Sequence, residues 1–334
     1  MQQTNEIKTD RIIKRIIKQD DLYQAGLLYD RIPCFDFDGN RILVPEDDDR
    51  SLRRWCCGST DVPKIMGTNP YSGPFDLFHH KLNNEVVRVN PAMMMGSRME
   101  PIFREMTQES LGDLGLDPDD QVQEGITIYE PTFMVTLRST PDAILRDNKN
   151  VCFEFKRHRY DMREDYGEPM TNEVHPMEYD QVQWHMYLGD FSVCFVGVLF
   201  GGDSELVWWK VERDDARIAM IKDAVFTFWT KYLHRRQQPS PDPTKACLDR
   251  LKRIEEKQAS RRVFSQEEWE LAVEHDRLSK AIKELEVAKK EAEAKIRVSA
   301  GDMQEIYIED GKSKITLKAP KGRDTRTLRV SIKD

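Results

Sequence analysis

The sequence has no apolar run long enough to cross a membrane, and its first residues lack the apolar core and small-residue cleavage site of a secretory signal. It also lacks an excess of positive charge, since 51 Lys and Arg residues stand against 59 Asp and Glu, a formal net charge of -8. We therefore expect an intracellular, cytoplasmic protein with no membrane partner. Any contact with DNA is expected to be local, because the chain is too acidic for a uniformly basic surface.

Cysteines are few and scattered along the chain. They are Cys34, Cys56, Cys57, Cys152, Cys194 and Cys247. The one close pair, Cys56 and Cys57, is adjacent, which is poor geometry for two ligands of one metal ion. We therefore expect reduced thiols that fill space in the core, and neither a zinc site nor an iron–sulfur cluster.

The 334 residues, 39% of them hydrophobic, are enough for one large domain with an appendage. Residues 1–50 are typical of an accessory segment and contain a basic amphipathic pattern that predicts a helix near residues 7–18. Between residues 51 and 235 helical and strand patterns alternate, which predicts an α/β (α+β) core with a mixed central β-sheet flanked by helices. Residues 236–334 are predicted to form an extension, in which Ser265-x-x-Glu268 starts a long helix and short strands follow.

The stretch NVCFEFKRH places charged residues inside a strand pattern. Side chains alternate across a strand, so Phe153 and Phe155 share one face while Glu154 and Lys156 share the other. A polar turn at residues 147–150 would bring Asp142 back beside Glu154 in an antiparallel pair. Two carboxylates and an ammonium group are therefore predicted to converge.

Adjacent carboxylates are unfavourable unless a positive charge neutralises them, because each raises the proton affinity of the other. Oxygen ligands prefer hard cations, which favours Mg²⁺ with room left for water and a phosphate oxygen. This set would suit phosphodiester hydrolysis, with Lys156 orienting the water or stabilising the developing charge. The alternative is a solvated ion pair between Glu154 and Lys156, worth at most about 1 kcal/mol.

Two helical patterns supply further candidates. A methionine-rich face between Met95 and Met106 carries Glu100 at its border, and the stretch YDQVQWHMYLG carries Gln181 and Gln183. Glutamine amides can hold a water, a metal-bound carboxylate or a phosphate. A solvated glutamate and ordinary helix-forming glutamines are the alternatives.

In their order and spacing these motifs resemble the PD-(D/E)xK nuclease superfamily, and more narrowly the phage lambda exonuclease and YqaJ-like viral recombinase family. The motifs are Gly96-x-x-x-Glu100, Pro141-Asp142, Glu154-x-Lys156 and Tyr179-x-Gln181-x-Gln183. The segment from Arg53 to Lys81 is similar to the opening pattern of the family, and the resemblance covers roughly residues 53–229. It implies a restriction-endonuclease-like core over residues 51–235.

The resemblance implies catalytic roles at the matching positions. Asp142 and Glu154 would be metal ligands assisted by Glu100, Lys156 the catalytic lysine, and Gln181 the glutamine near the reacting water, with Gln183 as its alternative. The implied cofactor is Mg²⁺, with Mn²⁺ as a substitute.

The resemblance also implies a site for the terminal 5′-phosphate of DNA. Arg53 and Thr60 match the gripping positions, with Arg54 and Ser59 as alternatives. The turn at residues 56–61 lacks the doubled glycine that is common in the family.

Basic residues outside this turn have two interpretations. In the long loop after Lys156, Arg157 and Arg159 are candidate DNA contacts, with a solvated surface loop as the alternative. The basic cluster between Arg250 and Arg262 alternates with acidic residues, which indicates a solvated helix face.

The function implied is Mg²⁺-dependent, 5′ to 3′ exonuclease digestion of linear double-stranded DNA from its ends, which generates single strands for phage-type recombination. The implied partners are DNA ends, a single-strand annealing protein and further copies of the chain in a ring-shaped trimer. The alternatives are a structure-specific DNA endonuclease of the same fold and a non-catalytic DNA-end-binding scaffold.

Overall fold

The computed structural model describes residues 11–13, 31–86, 91–132, 134–201, 203–254, 263, 265–307, 313–318 and 326–332. The chain divides into two compact units, Met1–Lys257 and Gln258–Asp334. The domain boundaries that the sequence predicts at residues 50 and 235 stay predictions.

The described strands of the first unit are β1 (Arg11–Ile13), β2 (Arg31–Phe35), β3 (Arg41–Pro45), β4 (Cys56–Cys57), β5 (Val122–Glu124), β6 (Thr127–Pro131), β7 (Thr136–Ser139), β8 (Ala143–Leu145), β9 (Val151–His158), β10 (Val193–Phe200) and β11 (Val207–Glu212). Its described α-helices are α1 (Asp49–Trp55), α2 (Val62–Met66), α3 (Pro74–Leu82), α4 (Pro91–Ser110), α5 (Pro176–Gly189), α6 (Asp215–Thr227) and α7 (Lys245–Ile254). A 3₁₀ turn covers Tyr160–Asp165, and a π-helical turn, Phe228–Leu233, continues α6.

The central sheet has the strand order β11-β10-β9-β8-β5. Strands β9 and β10 are parallel, whereas the other neighbours are antiparallel. A second sheet has the order β1-β6-β7-β4, and β2 and β3 form a hairpin. The predicted α/β core, with a mixed central sheet flanked by helices, is confirmed.

Strand β9 is covered on both faces, because its alternating side chains belong to two hydrophobic clusters. Phe153 and Phe155 pack with Phe103 of α4, and the rings of Phe155 and Phe103 are 5.5 Å apart. Cys152 belongs to the other cluster, together with Trp184 of α5. The predicted separation of the two faces is confirmed, and the face that carries Glu154 is the one toward α5.

The connection between the parallel strands β9 and β10 contains α5. This helix begins at Pro176, whose fixed φ suits a first helical turn. It ends before Asp190, which has a left-handed φ of 59°. The return of the chain through α5 places one face of that helix over β9.

At the N-terminus, residues 11–13 form strand β1, which pairs in parallel with β6. The helix predicted near residues 7–18 is therefore wrong at these three positions, because pairing with a sheet edge outweighs the local amphipathic pattern. The rest of that prediction lies outside the described residues.

Helix α7 packs in the first unit rather than lying free in solvent. Arg250 makes hydrogen bonds from its guanidinium group to both Asp76 and Glu85, at 2.7 to 3.0 Å, and its side chain is 18% exposed. The interpretation of this cluster as a solvated face is wrong at Arg250, since its partners lie more than 160 residues away in the sequence. Residues 255–262 of the cluster lie outside the described residues.

The second unit contains α8 (Gln266–Ala300) and the antiparallel strands β12 (Glu305–Tyr307), β13 (Lys314–Lys318) and β14 (Thr327–Ser331). At the start of α8, the Glu268 backbone N–H donates to Ser265 Oγ at 3.2 Å, while the Ser265 backbone N–H donates to Glu268 Oε2 at 2.9 Å. The predicted long helix and short strands are confirmed.

All six cysteines are buried and carry free thiols. The sulfur atoms of Cys34 and Cys56 are 3.6 Å apart. In the part of the chain that the structure describes, no helix is long and apolar enough to span a membrane.

Candidate active site

The hairpin of β8 and β9 positions the first carboxylate. Ala143 pairs with Phe153, so Asp142 stands at the level of Glu154 on the neighbouring strand, as predicted. The Asp142 backbone N–H donates to the Phe153 carbonyl at 3.1 Å, and the Phe155 backbone N–H donates to Asp142 Oδ2 at 2.7 Å. The side chain of Asp142 is thus tied to the backbone of β9.

Glu154 is the centre of the site and is only 2% exposed. Its Oε1 accepts hydrogen bonds from Lys156 Nζ and from Gln181 Nε2, the latter at 2.7 Å. Lys156 Nζ also donates to Gln181 Oε1 at 3.2 Å. The structure therefore brings Glu154, Lys156 and Gln181 together, and each of the three side chains contacts the other two.

Gln183, the alternative to Gln181, lies away from this set. Its Nε2 donates to the carbonyl of Glu212 at 2.9 Å, and its Oε1 accepts from the backbone N–H of Asp214 at 2.8 Å. Both polar ends of Gln183 therefore hold the connection between β11 and α6.

His185 is a member of the site that the sequence did not suggest. It lies one helical turn after Gln181, and its Nε2 is 3.1 Å from Glu154 Oε2. Its Nδ1 is 2.7 Å from Ser139 Oγ, and the ring is fully buried. The four-residue spacing from Gln181 was the available signal.

Burial and mutual repulsion set the charges of the carboxylates. Burial and the neighbouring charge of Glu154 raise the pKa of Asp142 to about 8. Burial would also raise the pKa of Glu154, but Lys156 and His185 lower it to about 2. Burial would lower the pKa of Lys156, but the two carboxylates raise it. Before any ligand binds, one negative charge of the pair is therefore balanced by Lys156, and Asp142 holds a proton at neutral pH.

The raised pKa makes the stability of the metal-free protein depend on pH. The pKa of Asp142 is about 8 in the folded chain and 3.8 in the reference state, so the folded chain retains a proton that the unfolded chain loses. The contribution of Asp142 to the free energy of unfolding is therefore expected to fall as the pH rises from about 4 to about 8. Asp142→Asn is expected to flatten this slope and to stabilise the metal-free protein at pH 8.

Urea midpoints measured in steps from pH 4 to pH 9 test this expectation. Asp119→Asn, at an exposed position, is the matched control and should follow the wild type. A midpoint for Asp142→Asn that keeps the slope of the wild type would contradict the expectation.

The donor set fits a divalent ion in part. Glu154 Oε2 is buried without a hydrogen-bond partner, and Asp142 and Glu154 repel each other when both are ionised. Within the described residues, however, no three His, Cys, Asp or Glu side chains form a group that could hold an ion. The chain thus offers two carboxylates, and the remaining ligands of an ion would be water and substrate oxygens.

Glu100, the third proposed carboxylate, comes from α4 and lines the same cleft as Glu154. Burial raises its pKa, and the charges of Glu124 and Glu154 add to the shift while Arg104 opposes it. Its role as an assisting metal ligand stays a prediction.

A cleft of about 1060 Å³ contains the carboxylates and the predicted phosphate-gripping turn. Basic side chains are spread along its wall: Arg50, Arg53, Arg54, Lys64, Lys81, Arg138, Lys156 and Arg157. Acidic side chains line the same cleft, namely Asp49, Asp61, Asp76, Glu85, Glu100, Asp142 and Glu154, so the two signs of charge are present in nearly equal number.

The turn that follows β4 is anchored by a buried lysine. Lys81 of α3 is 3% exposed, and its Nζ donates to the carbonyls of Arg53 and Cys56 at 2.6 and 2.9 Å. It also lies 2.8 Å from Asp61 Oδ2, which in turn accepts from the Gly58 backbone N–H at 3.2 Å. The turn therefore has a defined shape without the doubled glycine.

The four candidates for phosphate binding all line this cleft. Arg53 is exposed, and its Nε donates to Asp49 Oδ2 at 2.6 Å. Arg54 lies over the ring of Trp55 at 4.4 Å and donates to a backbone carbonyl of α3. Ser59 is buried and Thr60 is exposed. Arg53 and Thr60 are thus more exposed to solvent than Arg54 and Ser59.

The structure places Arg157 within β9, where the sequence predicted a loop, and Arg159 just after the end of that strand. Arg157 lines the cleft, whereas Arg159 is largely exposed and donates to Asp161 Oδ2 at 2.7 Å. Between them, His158 turns inward and its Nε2 lies 2.7 Å from Glu178 Oε1. Glu178 also accepts a hydrogen bond from the hydroxyl of Tyr166, so this loop is fixed at the base of α5.

Two further residues shape the site and carried no local signal. A Cβ atom on Gly125 would lie 1.6 Å from the carbonyl oxygen of Pro141, so only glycine lets this backbone approach the start of β8. Arg138 lies at the cleft wall with its NH1 2.8 Å from Asp49 Oδ1. Both depend on contacts between segments that are distant in the sequence.

Comparison with known proteins agrees with the motifs. Residues 50–192 match the family model described as the YqaJ-like viral recombinase domain, which confirms the resemblance predicted from the sequence. The uncharacterized protein YqaJ of Bacillus subtilis (strain 168) is 26% identical over 207 residues. That alignment covers 60% of this chain and 60% of the relative, so the chain spans less than two thirds of the length of the relative.

Two solved structures are also similar. The alkaline exonuclease LHK-Exo of Laribacter hongkongensis is 19% identical with a TM-score of 0.41, and the match covers 62% of this chain and 97% of that one. A phage-related exonuclease from Haemophilus somnus 129PT is 15% identical with a TM-score of 0.40, over 56% and 97% of the two chains.

Proposed function

We propose that this chain, which carries a YqaJ-like viral recombinase domain at residues 50–192, is a deoxyribonuclease that hydrolyses phosphodiester bonds. The observation that carries the proposal is the contact set of Glu154, Lys156 and Gln181 beside Asp142, at the wall of a cleft. A solvated ion pair does not account for a glutamate that is buried and held by two other polar side chains.

The proposed cofactor is Mg²⁺, with Mn²⁺ as a substitute, held by Asp142 and Glu154 with Glu100 assisting. Such an ion lowers the pKa of water and polarises the phosphoryl group. The repulsion between the paired carboxylates of Asp142 and Glu154 supports this cofactor. Binding would require Asp142 to lose its proton, so the ion would bind more tightly as the pH rises toward 8.

Lys156 and Gln181 have separate roles in the proposed reaction. Lys156 stays charged, so its ammonium group can stabilise the negative charge that develops on the phosphate oxygens. Gln181 donates to Glu154 and accepts from Lys156, which fixes the position of both. Its amide can exchange one of these contacts for the attacking water.

The proposed substrate is linear double-stranded DNA, digested from its 5′ ends. The turn at residues 56–61 and the side chains of Arg53 and Thr60 lie in the same cleft as the carboxylates, which supports a grip on a terminal 5′-phosphate. Single strands left by this digestion would pass to a single-strand annealing protein in phage-type recombination. A ring-shaped trimer around the DNA is the proposed assembly.

Duplexes labelled at the 5′ or the 3′ end, incubated with the purified protein and Mg²⁺, test this function. We expect mononucleotides released from 5′-phosphorylated linear duplex, no cleavage of a closed circular duplex, and loss of activity with EDTA or in Asp142→Ala. Cleavage of the circle would indicate an endonuclease instead. End binding without cleavage under any divalent ion would indicate a non-catalytic scaffold and contradict the proposed hydrolysis, whereas cleavage of the circle would contradict only the exonuclease mode.

A further inference from the structure

We infer that His185 is a positioning residue, which holds one oxygen of Glu154 so that the other faces Lys156, Gln181 and a divalent ion. This inference rests on the proposed metal-dependent function. Its basis is the contact between His185 Nε2 and Glu154 Oε2, which are 3.1 Å apart.

Helix α5 supplies one side chain to each oxygen of the carboxylate. Gln181 and His185 are four residues apart, so they project from the same face of the helix toward β9. Gln181 Nε2 donates to Glu154 Oε1 at 2.7 Å, while His185 Nε2 lies 3.1 Å from Glu154 Oε2. Helix α5 therefore places one polar side chain opposite each oxygen of Glu154.

The two facing atoms have unfilled hydrogen-bonding capacity. His185 Nε2 and Glu154 Oε2 are both buried, and neither has a hydrogen-bond partner in the present orientation. A buried polar atom without a hydrogen-bond partner destabilises the fold. A small rotation of the carboxylate would let Nε2–H donate to Oε2, which satisfies both atoms at once.

Ser139 faces the other ring nitrogen of His185 and can donate a hydrogen bond to it. Its Oγ lies 2.7 Å from His185 Nδ1, and the serine is 1% exposed. A hydroxyl that donates to Nδ1 leaves the proton of a neutral imidazole on Nε2, where it faces Glu154. A chain of contacts then runs from Ser139 on β7 through α5 to Glu154 on β9, and His185 needs no positive charge to act.

Substitutions at position 185 separate positioning from packing. His185→Leu keeps the approximate volume but removes the donor, whereas the amide of His185→Gln can place an N–H near the position of Nε2. Affinity for Mn²⁺ is measured by isothermal titration calorimetry without DNA, together with the melting temperature of the metal-free protein. We expect His185→Leu to weaken Mn²⁺ binding about 10–100-fold, His185→Gln to recover most of the loss, and Ser139→Ala to fall between them.

A second histidine provides the control. His234 bridges the carbonyls of Phe37 and Met134, both at 3.0 Å, so His234→Leu should lower the melting temperature and leave Mn²⁺ affinity unchanged. Wild-type affinity in His185→Leu, or equal losses in His185→Leu and His185→Gln, would overturn the inference. Should His185→Leu fail to fold, wild-type affinity in Ser139→Ala would overturn it. Absence of Mn²⁺ binding to the wild type would instead overturn the proposed metal dependence.

Discussion

Lys156→Met is expected to lower kcat by about 10²–10³-fold on linear duplex DNA, with little change in KM. The ammonium group contacts Glu154 and Gln181 at the point where charge would develop on the phosphate, and methionine keeps most of the side-chain length without the charge. The loss therefore falls on the reacting state more than on DNA binding. Initial rates at saturating duplex, with a separate DNA-binding measurement, check this expectation.

Lys210→Met is the matched control, since Lys210 is partly exposed and lies 3.7 Å from Glu212 at the surface. It should keep the kcat of the wild type. A Lys156→Met protein that binds DNA normally and still cleaves at the rate of the control would remove Lys156 from the mechanism.

Lys81→Met is expected to lower the free energy of unfolding by about 3–5 kcal/mol, the range for removal of one partner of a buried ion pair. The substitution leaves Asp61 without its closest cation and two backbone carbonyls without their shared donor. The turn at residues 56–61 loses its anchor as well. Urea unfolding followed by fluorescence measures the change in stability.

Lys64→Met is the control, because Lys64 lies 3.9 Å from the same carboxylate in a more exposed position. Its expected cost is below about 1 kcal/mol. Burial would raise the pKa of Asp61, but Lys81 and Lys64 lower it. The ionised carboxylate therefore stabilises the folded state at pH values above its unfolded pKa, and this stabilisation is lost as the pH falls through the folded pKa. Equal costs for the two lysine substitutions at pH 7 would contradict this assignment.

Alternation along one strand was enough to predict the main part of the site. The sequence separated Phe153 and Phe155 from Glu154 and Lys156, and the two clusters of the core follow that separation. The turn at residues 147–150 brought Asp142 to the correct neighbour, because a short hairpin fixes the register of its strands.

Contacts between distant segments were not predictable in the same way. His185 has no distinguishing feature in the sequence, because its role depends on contacts with Glu154 of β9 and Ser139 of β7. Arg250 was assigned to solvent because its neighbours in sequence alternate in charge, whereas its partners come from α3 and the residues after it. The requirement for glycine at position 125 likewise arises only from the close approach of the Pro141 backbone.

Because every cysteine is buried, the reaction of its thiol with a reagent can report local or global unfolding of this protein. A thiol reagent added to the folded chain would find all six sulfur atoms shielded, so their reaction would count molecules that have opened. Cys56 and Cys57 lie next to the turn that Lys81 anchors, and their exchange would register local opening there. A single cysteine introduced at an exposed position could carry a fluorophore while the native thiols stay unlabelled.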